Sequence, residues 1–290
     1  MQEEPLGEPG YPETSISSEA PTPGRGGALG GPVRTLVGVP FAYLLLGNAL
    51  ALAVFLLFGD TGSIGTVVMP PVVAIAMAAW YRHRFRGSFD GLFGWSGTGM
   101  LLTLPALLFM ALNLNDVVAA ESLSPVLPCL GMAFAAGISE EIVFRGIVGS
   151  NLMRIRGEAR DVLPNLVATS LVFGLVHGGN ILVGASVSAT VLQVFYAFCM
   201  GTLFEAVLLR CGSLWPSIIM HALIDFVGLL SMDVADGGII TEGIALDAGT
   251  ITVAIISIIV LACALYLTRP SKRAGVVELW DGKWCRARAE

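Results

Sequence analysis

From residue 36 onward, apolar blocks of about 15–25 residues alternate with short polar punctuation. The blocks predict eight membrane-spanning helices, over about residues 36–58, 64–80, 99–113, 126–150, 163–183, 186–209, 214–232 and 249–268. No ten-residue stretch alternates like a barrel strand, and only helices and closed barrels can cross a bilayer. The expected fold class is therefore all-α, a polytopic integral membrane bundle of about eight transmembrane helices, with no internal repeat.

The punctuation supplies an orientation. Arg82, His83, Arg84 and Arg86 follow the second block, and Arg154, Arg156 and Arg160 follow the fourth. Arg210 closes the sixth, and Arg269, Lys272 and Arg273 follow the eighth. The loops after the odd-numbered blocks are acidic or neutral, with Asn113, Asn115, Asp116 and Glu121 after the third and Asp233, Asp236, Glu242 and Asp247 after the seventh. By the positive-inside rule both termini should be cytoplasmic.

Composition agrees. Charged residues make up 13% of the 290, about half the share of a soluble domain. The net charge of −6 is mostly local, since Glu3, Glu4, Glu8, Glu13 and Glu19 crowd the first 34 residues. That segment is rich in Pro, Gly, Ser and Thr. It reads as a disordered acidic tail over 1–34, and its acidity sets it apart from a signal peptide. Residues 35–268 form the helical domain, and 269–290 read as a basic cytoplasmic tail carrying Trp280 and Trp284, solvated or lying on an anionic leaflet. Cys129, Cys199, Cys211, Cys263 and Cys285 make no C-x-x-C, and most lie in or beside apolar blocks, so they read as small buried hydrophobes rather than a disulfide or zinc framework.

The fourth block carries Gly137-Ile138-Ser139-Glu140-Glu141-Ile142-Val143-Phe144-Arg145-Gly146. Charged groups inside an apolar span are costly and face the bundle interior or a wet cavity. On a helix Glu141 and Arg145 share a face and can pair. Glu140 points about 100° away, free for chemistry. Phe173 and His177 share a face of the fifth block, and His221 and Asp225 a face of the seventh. A rise of about 1.5 Å per residue from each basic marker places Glu140, His177 and His221 at middle depth, so they can converge.

Such a set can hydrolyse an amide. Glu140 can serve as general base toward water and then as acid toward the leaving group, with His177 holding the water and His221 with Asp225 stabilising an oxyanion. Alternatively, Glu140, His177 and His221 can bind a divalent metal such as zinc. Asn180 can hydrogen-bond toward the same place. In the sixth block Gln193, Tyr196 and Gly201 read first as packing residues. No H-E-x-x-H, G-x-S-x-G or P-loop occurs, so zincin, serine-hydrolase and nucleotide-driven chemistry lack support, and neither nucleic acid nor nucleotide is an expected partner.

The series Glu140-Glu141-x-x-x-Arg145, Phe173-x-x-x-His177 and His221-x-x-x-Asp225 resembles the motifs of the CPBP family of intramembrane endopeptidases, within about residues 126–230. That family includes the CAAX prenyl-protein proteases and bacterial relatives linked to bacteriocin processing or self-immunity. The resemblance implies an eight-helix bundle in which Glu140 activates water and Glu141 and Arg145 brace it. It implies that His177 assists the water or binds metal, and that His221 and Asp225 form an oxyanion site or complete a metal site. Many members carry Asn at the position of Asp225. An aspartate donates to an oxyanion only when protonated, which favours a role for Asp225 in orienting His221. The function expected is an intramembrane endopeptidase in the plasma membrane of a bacterium, with lipid and a peptide or membrane-protein substrate as partners. The alternatives are a non-catalytic scaffold or bacteriocin self-immunity protein with the same fold, and a proton-coupled transporter, for which inverted repeats are missing.

Overall fold

The computed structural model describes residues 31–59, 67–84, 89–112, 126–231 and 243–289. The expected tail up to residue 30, the polar loop from Asn113 to Glu121 and the acidic residues Asp233, Asp236 and Glu242 lie outside them. Every regular element among the described residues is helical. In chain order these are α1 (Arg34–Phe58), α2 (Met69–Arg84), α3 (Gly97–Leu112), α4 (Val126–Ile155), α5 (Val162–Val183), α6 (Val187–Cys211), α7 (Trp215–Ser231), α8 (Ala248–Leu267) and α9 (Pro270–Ala289).

The protein is an all-α membrane bundle. Among the described residues, α1, α4, α5, α6 and α8 are long and apolar enough to cross a bilayer. The remaining blocks of the expected eight are shorter: α3 and α7 are brief apolar helices, and α2 ends in Arg82, His83 and Arg84. Tight turns over Leu104–Ala106, around Pro105, interrupt α3 where the proline ring cannot continue regular helical bonding.

The shaft of the bundle is α4. It packs chiefly on α7 and α2, while α6 packs on α5 and α8. Every residue from Glu141 to Arg154 is buried, so this half of α4 meets protein on all sides. The outer helices are the reverse. Leu44, Leu45, Phe55 and Leu56 of α1 and Ile251, Ile255 and Ile258 of α8 are exposed, as lipid-facing positions require, because acyl chains solvate them as well as a core would.

Small residues set how closely the helices approach. A Cβ on Gly137 of α4 would stand 3.0 Å from the Ala222 nitrogen of α7, and one on Gly174 of α5 would stand 2.8 Å from the Val194 carbonyl of α6. Both contacts lie within one turn of a candidate site residue.

One segment departs from the sequence reading. The basic stretch after residue 268 is the helix α9, folded back on the bundle rather than left as a tail. Trp280 is 1% exposed and donates its indole N–H to the Leu209 carbonyl at 3.2 Å, near the end of α6. Lys283 donates to the Gly91 carbonyl at 2.8 Å. Gly212 ends α6 with φ +65°, and a Cβ there would run into Lys283 Cε, so glycine serves both the turn and the docking of α9. Trp280→Phe keeps most of the apolar volume but strips the Leu209 carbonyl of this donor. A stability loss of about 1 kcal/mol should follow, read as a lowered unfolding midpoint in detergent. At the other end of α8, Asp247 accepts from the Thr250 amide at 2.8 Å, and that bond holds its carboxyl below the ordinary carboxylate range.

Candidate active site

The centre of the bundle is where α4 changes pitch. Regular α-helix runs from Val126 to Glu140, and wider π-type turns run from Glu141 to Gly149. A π segment rotates the following side chains relative to a plain α-helix, and such segments concentrate at functional sites. The change falls between the two glutamates, so they face different surroundings. Glu141 is fully buried, while the Glu140 side chain keeps a 25% exposure.

Glu141 is a hub. Its Oε1 pairs with Arg145 Nη1 at 3.0 Å, both side chains being wholly buried, and it also accepts from His221 Nδ1 at 2.9 Å. The imidazole is thereby held with its proton on Nδ1 and its Nε2 edge turned toward the other carboxyls. On that edge, Asp225 Oδ2 lies at 3.4 Å and Glu140 Oε2 at 3.8 Å. This corrects the expectation that Asp225 orients the ring: Glu141 does so from α4, and Asp225 faces the reactive nitrogen. A bare Nε2 lone pair facing two carboxylates would repel them, so the edge is a place that holds a proton.

Aromatic rings enclose these groups. Phe204 of α6 stacks on His221 with centroids 5.6 Å apart. Phe173 meets the His221 ring edge-on at 6.0 Å and the His177 ring at 5.0 Å. Its face also carries the Arg145 guanidinium at 4.0 Å, a cation–π contact in a desolvated setting. Phe173, noted in sequence only for sharing a face with His177, is thus the common neighbour of both imidazoles and of the arginine.

His177 stands where α5 tightens into three-residue turns over His177–Val183. Its backbone N–H turns to Gly174 and Leu175, which leaves the Phe173 carbonyl to accept from His177 Nδ1 at 2.9 Å. Nε2 then keeps its lone pair for a water or substrate proton. Asn180, one turn on, donates to Gln193 Oε1 at 2.8 Å. Its amide is engaged with α6, in the cross-helix bond that a packing role for Gln193 allows.

Sequence reasoning passed over two polar residues. Tyr43 of α1 is buried within electrostatic reach of Glu140. Glu205 of α6 is fully buried near Arg145 and Glu141. The signal for Glu205 was visible, since a carboxylate in an apolar span invites the reasoning applied to Glu140; it belongs to none of the three motifs. Among the described residues, no cluster of three or more His, Cys, Asp and Glu side chains is arranged to hold a metal ion.

Residues 122–227 match the family model described as type II CAAX prenyl endopeptidase Rce1-like, and this span contains α4, α5, α6 and most of α7. No curated protein matches the chain, and no solved structure does.

Proposed function

Over residues 122–227 the chain is a member of the Rce1-like type II CAAX prenyl endopeptidase family, and from this membership we propose an intramembrane endopeptidase acting through a Glu140-activated water. The observation that carries the reading is the split of two adjacent glutamates, one locked to Arg145 and His221 and the other beside the His221 Nε2 edge. Glu140 takes a proton from water as its oxygen attacks the peptide carbonyl, and the carbonyl becomes an oxyanion. The C–N bond then breaks, and the same proton passes to the leaving amine. His177, with its Nε2 lone pair free, holds the water. His221, protonated and backed by Glu141, donates from Nε2 to the oxyanion, as a carboxylate-backed imidazole does elsewhere. Asp225 keeps that Nε2 proton in place. The substrate is a membrane-associated peptide or protein, and both termini of the enzyme are cytoplasmic.

The test uses the purified full-length chain in detergent and a fluorogenic lipidated or transmembrane peptide. His221→Ala should lower turnover by about 100-fold, and cleavage by the parent should survive a chelator. Loss of cleavage on chelation with recovery on adding zinc would replace the water route with a metal route. Unchanged cleavage by both Glu140→Gln and His177→Ala would remove these residues from the reaction, and no cleavage by the folded parent would favour a non-catalytic scaffold.

A further inference from the structure

Glu205 has no role in the mechanism above, and its placement asks for one. Its side chain is fully buried, and neither carboxyl oxygen has a hydrogen-bond partner among the described residues. Burial of a carboxyl without a partner is costly enough that natural folds retain it where it acts on something nearby. The local packing identifies what that is. A Cβ on Gly201 of α6 would lie 2.9 Å from Arg145 Nη2, and a Cβ on Gly149 of α4 would lie 2.5 Å from Glu205 Oε1. Residues 145 and 149 are one turn apart on one helix, and 201 and 205 one turn apart on the other. The two helices therefore interlock reciprocally, the long arginine over a glycine of α6 and the long glutamate over a glycine of α4.

This ladder puts Arg145 and Glu205 on adjoining rungs of one α4–α6 seam, with Glu205 within electrostatic reach of both Arg145 and Glu141. We propose that Glu205 is a positioning residue: a second carboxyl on Arg145 that holds the guanidinium over Phe173 and thereby fixes Glu141 against His221. The inference rests on the protease reading for its consequence, but the contact it asserts can be tested apart from activity. With the Glu205 carboxyl removed, Arg145 has Glu141 as its nearest acidic neighbour and draws that carboxylate from the His221 Nδ1–H. Substrate binding at the exposed edge of the site is left alone.

The experiment compares the full-length parent, Glu205→Gln, Arg145→Gln and the double variant in detergent, with Glu205→Met replacing the glutamine variant if that fails to fold. Glu205→Gln should lower kcat by about tenfold with KM within about twofold, and Glu205→Asp should recover part of the loss. In thermal unfolding the two glutamine substitutions should be non-additive, because each removes the other's partner. Additive shifts in unfolding midpoint would overturn the contact. A lowered midpoint with unchanged kcat would overturn the positioning role and leave packing alone. Should Glu140→Gln cleave like the parent, the Glu140-activated water fails as the mechanism while the thermal cycle still reports on the coupling of Glu205 to Arg145.

Discussion

Glu140→Gln should leave the bundle folded and lower peptide cleavage by about 1,000-fold or more. The substitution is nearly isosteric, and Glu140 is the partly exposed member of the glutamate pair, so the buried ion pair one residue on is left intact. Its Oε2 has no hydrogen-bond partner among the described residues, so little structure is lost when its charge goes. A carboxamide cannot take a proton from water at neutral pH, and the effect should fall on kcat. Turnover by single-turnover kinetics, with circular dichroism as the folding control, is the measurement. A folded variant within about tenfold of the parent would rule out Glu140 as the base.

Arg145→Ala should cost about 3–5 kcal/mol of stability, the range for removing one partner of a buried pair. Arg145 and Glu141 are both wholly buried and 3.0 Å apart, and the guanidinium also covers Phe173. Alanine would strand the Glu141 charge and open space against Phe173. The double variant Arg145→Met, Glu141→Gln should regain much of the unfolding midpoint, because a neutral pair of similar volume is tolerated where a lone charge is not. It should not regain cleavage, since His221 Nδ1 then faces an amide instead of a carboxylate. Recovery of both properties would show that Glu141 serves structure alone.

Much of the bundle is legible in linear form, because lipid solvates every outward face and each crossing must satisfy its own backbone. The helices appear within a few residues of the apolar blocks, and the polar residues inside them mark the centre. Two features were not legible, and a third, Glu205, was legible as a costly group but not in its role. The stretch after residue 268 has too few apolar positions to announce a packed helix, and its docking hangs on Trp280 and Lys283 meeting carbonyls of distant segments. The π turns from Glu141 follow no local rule, and they arise in a segment gripped on every side. Glu205 carries no motif spacing, and its meaning depends on which glycine of α4 it meets.

Residue order alone determined that the chain is an all-helical membrane bundle and that Glu140, Glu141, Arg145, His177, His221 and Asp225 are its costly interior polar groups. Hydropathy and i,i+4 spacing are local quantities that need no knowledge of neighbours. Only the tertiary structure decided the partners: Glu141, not Asp225, on His221 Nδ1, Phe173 shared by two imidazoles and an arginine, and Glu205 over Gly149. Those choices depend on helix rotation and on close approach at Gly137, Gly174 and Gly201, which packing sets between segments far apart in the chain.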